Sequence, residues 1–198
     1  EAVSTGAIGI GDSADAFGVS AVAIGAFADA TVSGAIAIGG DSSDTGSIGA
    51  SARGHESVAI GIDSEAGSTG SVSLGRRAIS SNPGATAIGS EAQATDTRAT
   101  ALGAGAQASA FSSIAIGSAN VSGENAIGIG AGAFTNGSQS VAIGLSTNAQ
   151  GTGSVALGSQ SFTFNSGSVA IGRGAVSSLF SAIIIGETSD ASGIAAVA

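Results

Sequence analysis

The stretch SVAIGIDSEAGSTGSVSLG, residues 57–75, writes one phrase twice: Ser57-Val58-Ala59-Ile60-Gly61 returns fourteen residues later as Ser71-Val72-Ser73-Leu74-Gly75. The closing glycine serves as a ruler for the whole chain. It stands at Gly11, Gly25, Gly39, Gly61, Gly75, Gly89, Gly103, Gly117, Gly130, Gly144, Gly158, Gly172 and Gly186. Most steps are fourteen residues; Gly117 to Gly130 is thirteen, and Gly39 to Gly61 is twenty-two, with a shortened copy, Ser47-Ile48-Gly49, inside it. A short fixed period of this kind is the signature of a solenoid, in which each repeat stacks on the next.

With the ruler glycine numbered five, position four is Ile or Leu in every copy, and position two is Val, Ile or Thr in nearly all. Position one is Ala or Ser, and position three is Ala, Ser or Gly except at Ile184. Period-two alternation of β-branched residues predicts a strand, and glycine at position five suits a turn at positive φ. Positions eight and ten form a second small pair, as in Ala92 and Ala94 or Thr147 and Ala149. Each unit therefore reads as two short strands and two tight turns, one coil, with successive coils pairing as parallel strands about 4.8 Å apart. Frequent glycine opposes helix throughout.

The first strand carries almost no charged or amide side chain, so both of its faces are expected to be dry. One face fills the coil. The other needs a cover that a single roll does not offer, which points to an oligomer with this sheet at its centre. The preferred assignment places the Val/Ile of positions two and four inside, against Ala/Ser of positions eight and ten; the opposite assignment keeps the same parity and is open at this level.

Composition agrees. The chain of 198 residues has 34 Gly, one Pro and no Cys, Met, Trp or Tyr, and only 10% of it is charged. Disulfides and cysteine-bound metal are excluded. A net charge of −9 disfavours nucleic acid and anionic membrane surfaces as partners. No apolar run approaches the roughly 18 residues of a membrane span, so direct membrane insertion by this segment is not expected. The charges gather in the turns and on the outward side of the second strand, an acidic, solvated face. Residues 1–198 read as a single repeat array with an irregular repeat or insertion at 40–56. Both ends fall in mid-repeat, so a piece of a longer repeat array is expected.

The phrases S-V-A-I-G-x-x-S at Ser57–Ser64 and S-V-A-L-G-x-x-S at Ser154–Ser161 resemble the head repeat of trimeric autotransporter adhesins, the YadA-like head, and the resemblance runs over essentially the whole chain. Where that motif often begins with Asn, this chain has Glu56 and Gly153. The resemblance implies an all-β, left-handed parallel β-roll of about 14-residue coils, a homotrimer, and display at the cell surface, on the outer membrane of a Gram-negative bacterium. It also implies adhesion to matrix proteins such as collagen, fibronectin or laminin, or to abiotic surfaces. The alternative is a structural spacer in a surface fibre whose binding lies elsewhere.

No enzyme chemistry is expected, and no cofactor or metal. His55 is the only histidine; left-handed hexapeptide acyltransferases use such a residue between subunits, but their coils hold eighteen residues, and His55 reads as a surface-loop residue. Ice binding would favour a regular Thr array, and Thr is scattered. The G-x-G-x-x-A strings at 9–14, 103–108 and 128–133 lack the helix a dinucleotide fingerprint needs. Asp41–Gly46 imitates the start of a calcium loop, but Ala52 stands where the bidentate Glu belongs. The seven Phe lie off the interior positions, and exposed rings on a polar face can anchor a partner. Phe134, Phe162 and Phe164, with Phe27, are the candidate ligand-binding residues; the competing reading is that they cap edges or fill grooves between chains.

Overall fold

The structure is a computed structural model that describes residues 1–42 and 48–191. Described strands are of two kinds, three-residue strands such as Val72–Leu74 and two-residue strands such as Ile79–Ser80, and no helix occurs among the described residues. The chain divides into two compact units, Glu1–Gly105 and Ala106–Ala198. Both are parallel β-solenoids built the same way. In the first, three-residue strands run in sequence order from Ile8–Ile10 to Thr100–Leu102, and two-residue strands from Asp15–Ala16 to Gln93–Ala94. In the second, the corresponding runs are Ile114–Ile116 to Ile183–Ile185 and Gln107–Ala108 to Asp190–Ala191.

The register follows the period. Val58 lies against Val72, Ala59 against Ser73 and Ile60 against Leu74, so every repeat position stacks on its own copy in the next coil. Two four-residue turns close each coil. At one, the Ala78 N–H donates to the Gly75 carbonyl at 3.2 Å; at the other, the Ser71 N–H donates to the Ser68 carbonyl at 3.0 Å. In the regular coils the third residue of each turn is left-handed, as at Arg77 (φ 53°) and Gly70 (φ 64°). The ruler glycine is different. Gly75 sits at φ 131°, and a Cβ there would lie 2.5 Å from the carbonyl oxygen of Gly89 in the next coil. The stacked chain occupies the place of the side chain, so this position accepts only glycine.

The interior is the reverse of the preferred assignment. Positions one, three, eight and ten point inward: Ala85, Ala87, Ala92 and Ala94 are all fully buried. The Val, Ile and Leu of positions two and four point outward and remain half-exposed, with Ile60 at 38% and Leu102 at 41%. Tight turns explain the inversion, because they hold the two strands of a coil so close that only small side chains fit between them. The contacts measure it: Ser73 Oγ meets Ser80 Oγ at 2.7 Å across the interior, and Thr163 Oγ1 donates to Ser154 Oγ at 2.9 Å. Interior serines at the turns are also satisfied locally, Ser57 Oγ donating to the Gly54 carbonyl at 2.6 Å and Ser64 Oγ to that of Gly61 at 2.9 Å. The buried hydroxyls of Ser73, Ser80, Ser154, Thr163, Ser57 and Ser64 thus cost little, since each has a partner.

Where a larger side chain enters, its neighbour shrinks. Val121 is fully buried, and position three opposite it is Gly128, where a Cβ would come within 2.6 Å of Val121 Cγ2.

Both departures from the period fall at the same corner, the turn after the ruler glycine. In the coil of Gly39 the turn bond survives, with the Ala50 N–H donating to the Gly39 carbonyl at 3.1 Å. The strands on either side are regular: Ile36–Ile38 pairs with Val58–Ile60, and Ser51–Ala52 pairs with Asp29–Ala30 and with Glu65–Ala66. The added residues lie between Gly39 and Ala50. In the short coil, Asn120 follows Gly117 by three residues and pairs back onto Gln107.

Candidate functional site

The outward face of the two-residue strands carries the chain's chemistry. Position nine of each coil points away from the interior and stacks in register. In the second unit the column includes Phe134, Asn148 and Phe162. Two strand spacings separate the two rings, about 10 Å. Phe164, two residues on from Phe162 and so on the same face, stacks on it with ring centres 6.2 Å apart and planes 9° from parallel. Phe134 is 36% and Phe164 45% exposed. Three of the four candidate aromatic residues are thereby brought onto one face, and the Asn148 Oδ1 between them is buried without a hydrogen-bond partner among the described residues.

Phe27 belongs to the first unit and is in a different setting. It occupies the left-handed position of its turn (φ 57°) and lines a hollow of about 280 Å³ with Ser13, Asp15, Asp29, Ile48 and Arg53. A second hollow of about 200 Å³ shares Ile48 and Arg53 and adds Gly49, Ser51, Asp63, Ser64 and Glu65. Their common floor is the position-nine column Asp15, Asp29, Ser51, Glu65, each in register with the next. Arg53 stands among these acids at 3.8 Å from Asp29 and 3.6 Å from Glu65, ion pairs too long for direct hydrogen bonds. Burial pushes the Asp29 carboxyl above its ordinary value of 3.8; Arg53 pulls it back and Asp15 adds to the rise. Asp15 also meets the α-amino group of Glu1 at 3.1 Å. Sequence reasoning did not find this groove. Its signal was the run of acids at position nine, Asp15, Asp29 and Glu65, in the repeats around the one with the extended corner.

The remaining candidates resolve simply. His55 is an exposed turn residue whose backbone carbonyl accepts from the Gly70 N–H at 2.9 Å. Of the Asp41–Gly46 stretch, residues 43–46 lie outside the described residues; Ser42 donates its N–H and hydroxyl to the Asp63 carboxylate at 3.1 and 2.5 Å. Arg76 and Arg77 both bridge to Glu91, and Arg173 to Glu187, all exposed, which contributes little to stability.

The family profile of the YadA head domain repeat matches residues 2–28, 18–42, 52–78, 80–106, 122–147 and 149–175, which together make up well over half of the chain. The chain belongs to the YadA head domain repeat family. No curated protein matches it. The profile leaves residues 43–51 uncovered, where the extended corner interrupts the repeat. YadA head repeats are of adhesin type and belong to surface-exposed bacterial proteins.

Proposed function

We propose that the chain is the head of a trimeric surface adhesin, a left-handed β-roll displayed on the outer membrane of a Gram-negative bacterium. The observation that carries the reading is the outward aliphatic ladder. Ile8, Ile10, Ile60, Leu102, Ile143 and Ile185 all stand more than a third exposed in the single chain. An apolar face of this kind, present on each unit, calls for a cover in water, and membership of the YadA head family supports two sister chains as the cover. The head then binds matrix proteins such as collagen, fibronectin or laminin, or an abiotic surface, through weak contacts repeated in each chain, so that avidity replaces a single strong site. Phe134, Phe162 and Phe164 are the proposed anchors of that contact, with Phe27 contributing separately.

Two measurements test the reading. The solution mass is expected at about 55 kDa, three times the 18.2 kDa chain; a folded monomer refutes the covered ladder. In solid-phase capture on matrix proteins and bare polystyrene, changing Phe134, Phe162 and Phe164 together to Ser is expected to leave melting nearly intact and to cut capture about tenfold or more. A sharp fall in melting makes the rings structural. No capture by the unaltered protein leaves the chain a spacer.

A further inference from the structure

The groove of the first unit has a chemistry that the adhesive reading does not use. Four carboxylates, Asp15, Asp29, Asp63 and Glu65, line the two hollows with a single guanidinium, Arg53. Stacked like charges in neighbouring strands repel, and Arg53 reaches Asp29 and Glu65 only at 3.8 and 3.6 Å. Ser51 is the independent sign of a ligand. It is 2% exposed, its position points outward onto the groove floor, and its hydroxyl has no hydrogen-bond partner among the described residues. A buried hydroxyl left unpaired costs free energy, and here it stands in the lining beside Glu65.

We propose that this groove binds a basic segment of a partner protein, with a lysine or arginine head group over Ser51 and Glu65 and its aliphatic stem along Ile48. An ammonium brings three donors and a guanidinium five. The acceptors are the Ser51 hydroxyl, the Glu65 carboxylate and the lone pairs Asp63 has left after accepting from Ser42. Ile48, 51% exposed, lines both hollows, and Phe27 walls the first, so the site suits a cation carried on an apolar stem. A bare metal ion fits less well, because no group of three or more His, Cys, Asp or Glu among the described residues is placed to hold one. The net charge of −9 steers a basic partner toward the head. The proposal rests on the adhesive reading only in taking the ligand to be a macromolecule; the test below does not depend on it.

The probe is a fluorescent oligolysine peptide titrated into the intact protein, with its ε-acetylated form as control. Anisotropy is expected to show saturable binding of the unmodified peptide only. Asp29→Asn combined with Glu65→Gln is expected to weaken it about tenfold or more, the worth of losing charge-assisted bonds. Glu124→Gln with Asp190→Asn, which removes the same charge from the second unit, is expected to change it less than about twofold. Ser51→Ala weakens binding, and Arg53→Ala, which removes the competing cation, tightens it. Equal losses in the two charge-matched pairs, or weaker binding by Arg53→Ala, overturn the proposal. Failure here with intact matrix capture leaves the adhesin reading standing, and the reverse result leaves the groove.

Discussion

Gly70 and Gly75 lie in one coil, both have positive φ, and replacing each by Ala should have very different consequences. At Gly75, φ is 131° and the new Cβ falls 2.5 Å from the Gly89 oxygen and 2.7 Å from its carbon. That is about half an ångström inside the 3.0 Å below which real Cβ contacts essentially do not occur, and the obstacle is backbone. The stacked coils must separate at this corner. The Gly75 N–H bond to the Ile60 carbonyl and the Gly89 N–H bond to Leu74, both 2.8 Å, are then loosened at about 1 kcal/mol each. A dihedral region reserved for glycine adds about 1–3 kcal/mol, so the total is about 3–5 kcal/mol. At Gly70, φ is 64° and no atom lies within 4 Å of the added Cβ. The equivalent position holds Ser20, Glu56, Arg98, Asn125 and Gln139, all left-handed, so the fold already carries side chains there. The left-handed cost of about 1–2 kcal/mol is partly offset by the stiffer unfolded chain, for a net loss of about 1 kcal/mol. Guanidinium unfolding followed by far-ultraviolet circular dichroism, at one fixed protein concentration, measures both. Equal midpoints for the two variants would refute the claim that the next coil's carbonyl occupies the ruler position.

The interior makes a paired prediction. Gly128→Ala is expected to cost about 1–3 kcal/mol by overpacking through its 2.6 Å collision with Val121 Cγ2. Adding Val121→Ala should recover part of that loss, and a double variant no better than additive would show the two do not share space. Asp29 predicts a pH dependence. Its carboxyl is raised, chiefly by burial, above 3.8, so between that value and its folded pKa the native chain binds more protons than the unfolded one. Stability from this group is full below 3.8 and lost as pH rises through the folded value. Asp29→Asn is therefore expected to raise the melting temperature modestly at neutral pH and to give no gain in acid; a gain that persists below 3.8 contradicts the assignment.

Much of the fold was legible because the repeat is nearly exact. Period, strand parity, turn glycines and the outward setting of Phe134, Phe162 and Phe164 all follow from residue spacing. The inward face did not. Placing the bulky aliphatic residues inside is sound when the interior is wide, but a coil closed by two four-residue turns is filled mostly by Ala and Ser, with Thr135, Thr147, Thr163, Val121 and Ile184 as the larger exceptions. Ala87 and Ala94 fill the space that Val or Ile would overfill. The groove was hidden for another reason. Ser51, Arg53 and Asp63 are unremarkable in the repeat, and only the stacking of successive coils brings them into the lining of one hollow with Glu65.

Because each position stacks on its own copy, sliding one strand past its neighbour by a whole coil recreates nearly every contact. Such a slip would pass unnoticed by most of the chain. It would be felt where the corner after Gly39 is long, where the corner after Gly117 is short, and where Val121 needs Gly128 opposite it. These irregular places act as alignment marks, telling an otherwise self-similar ribbon which coil belongs beside which.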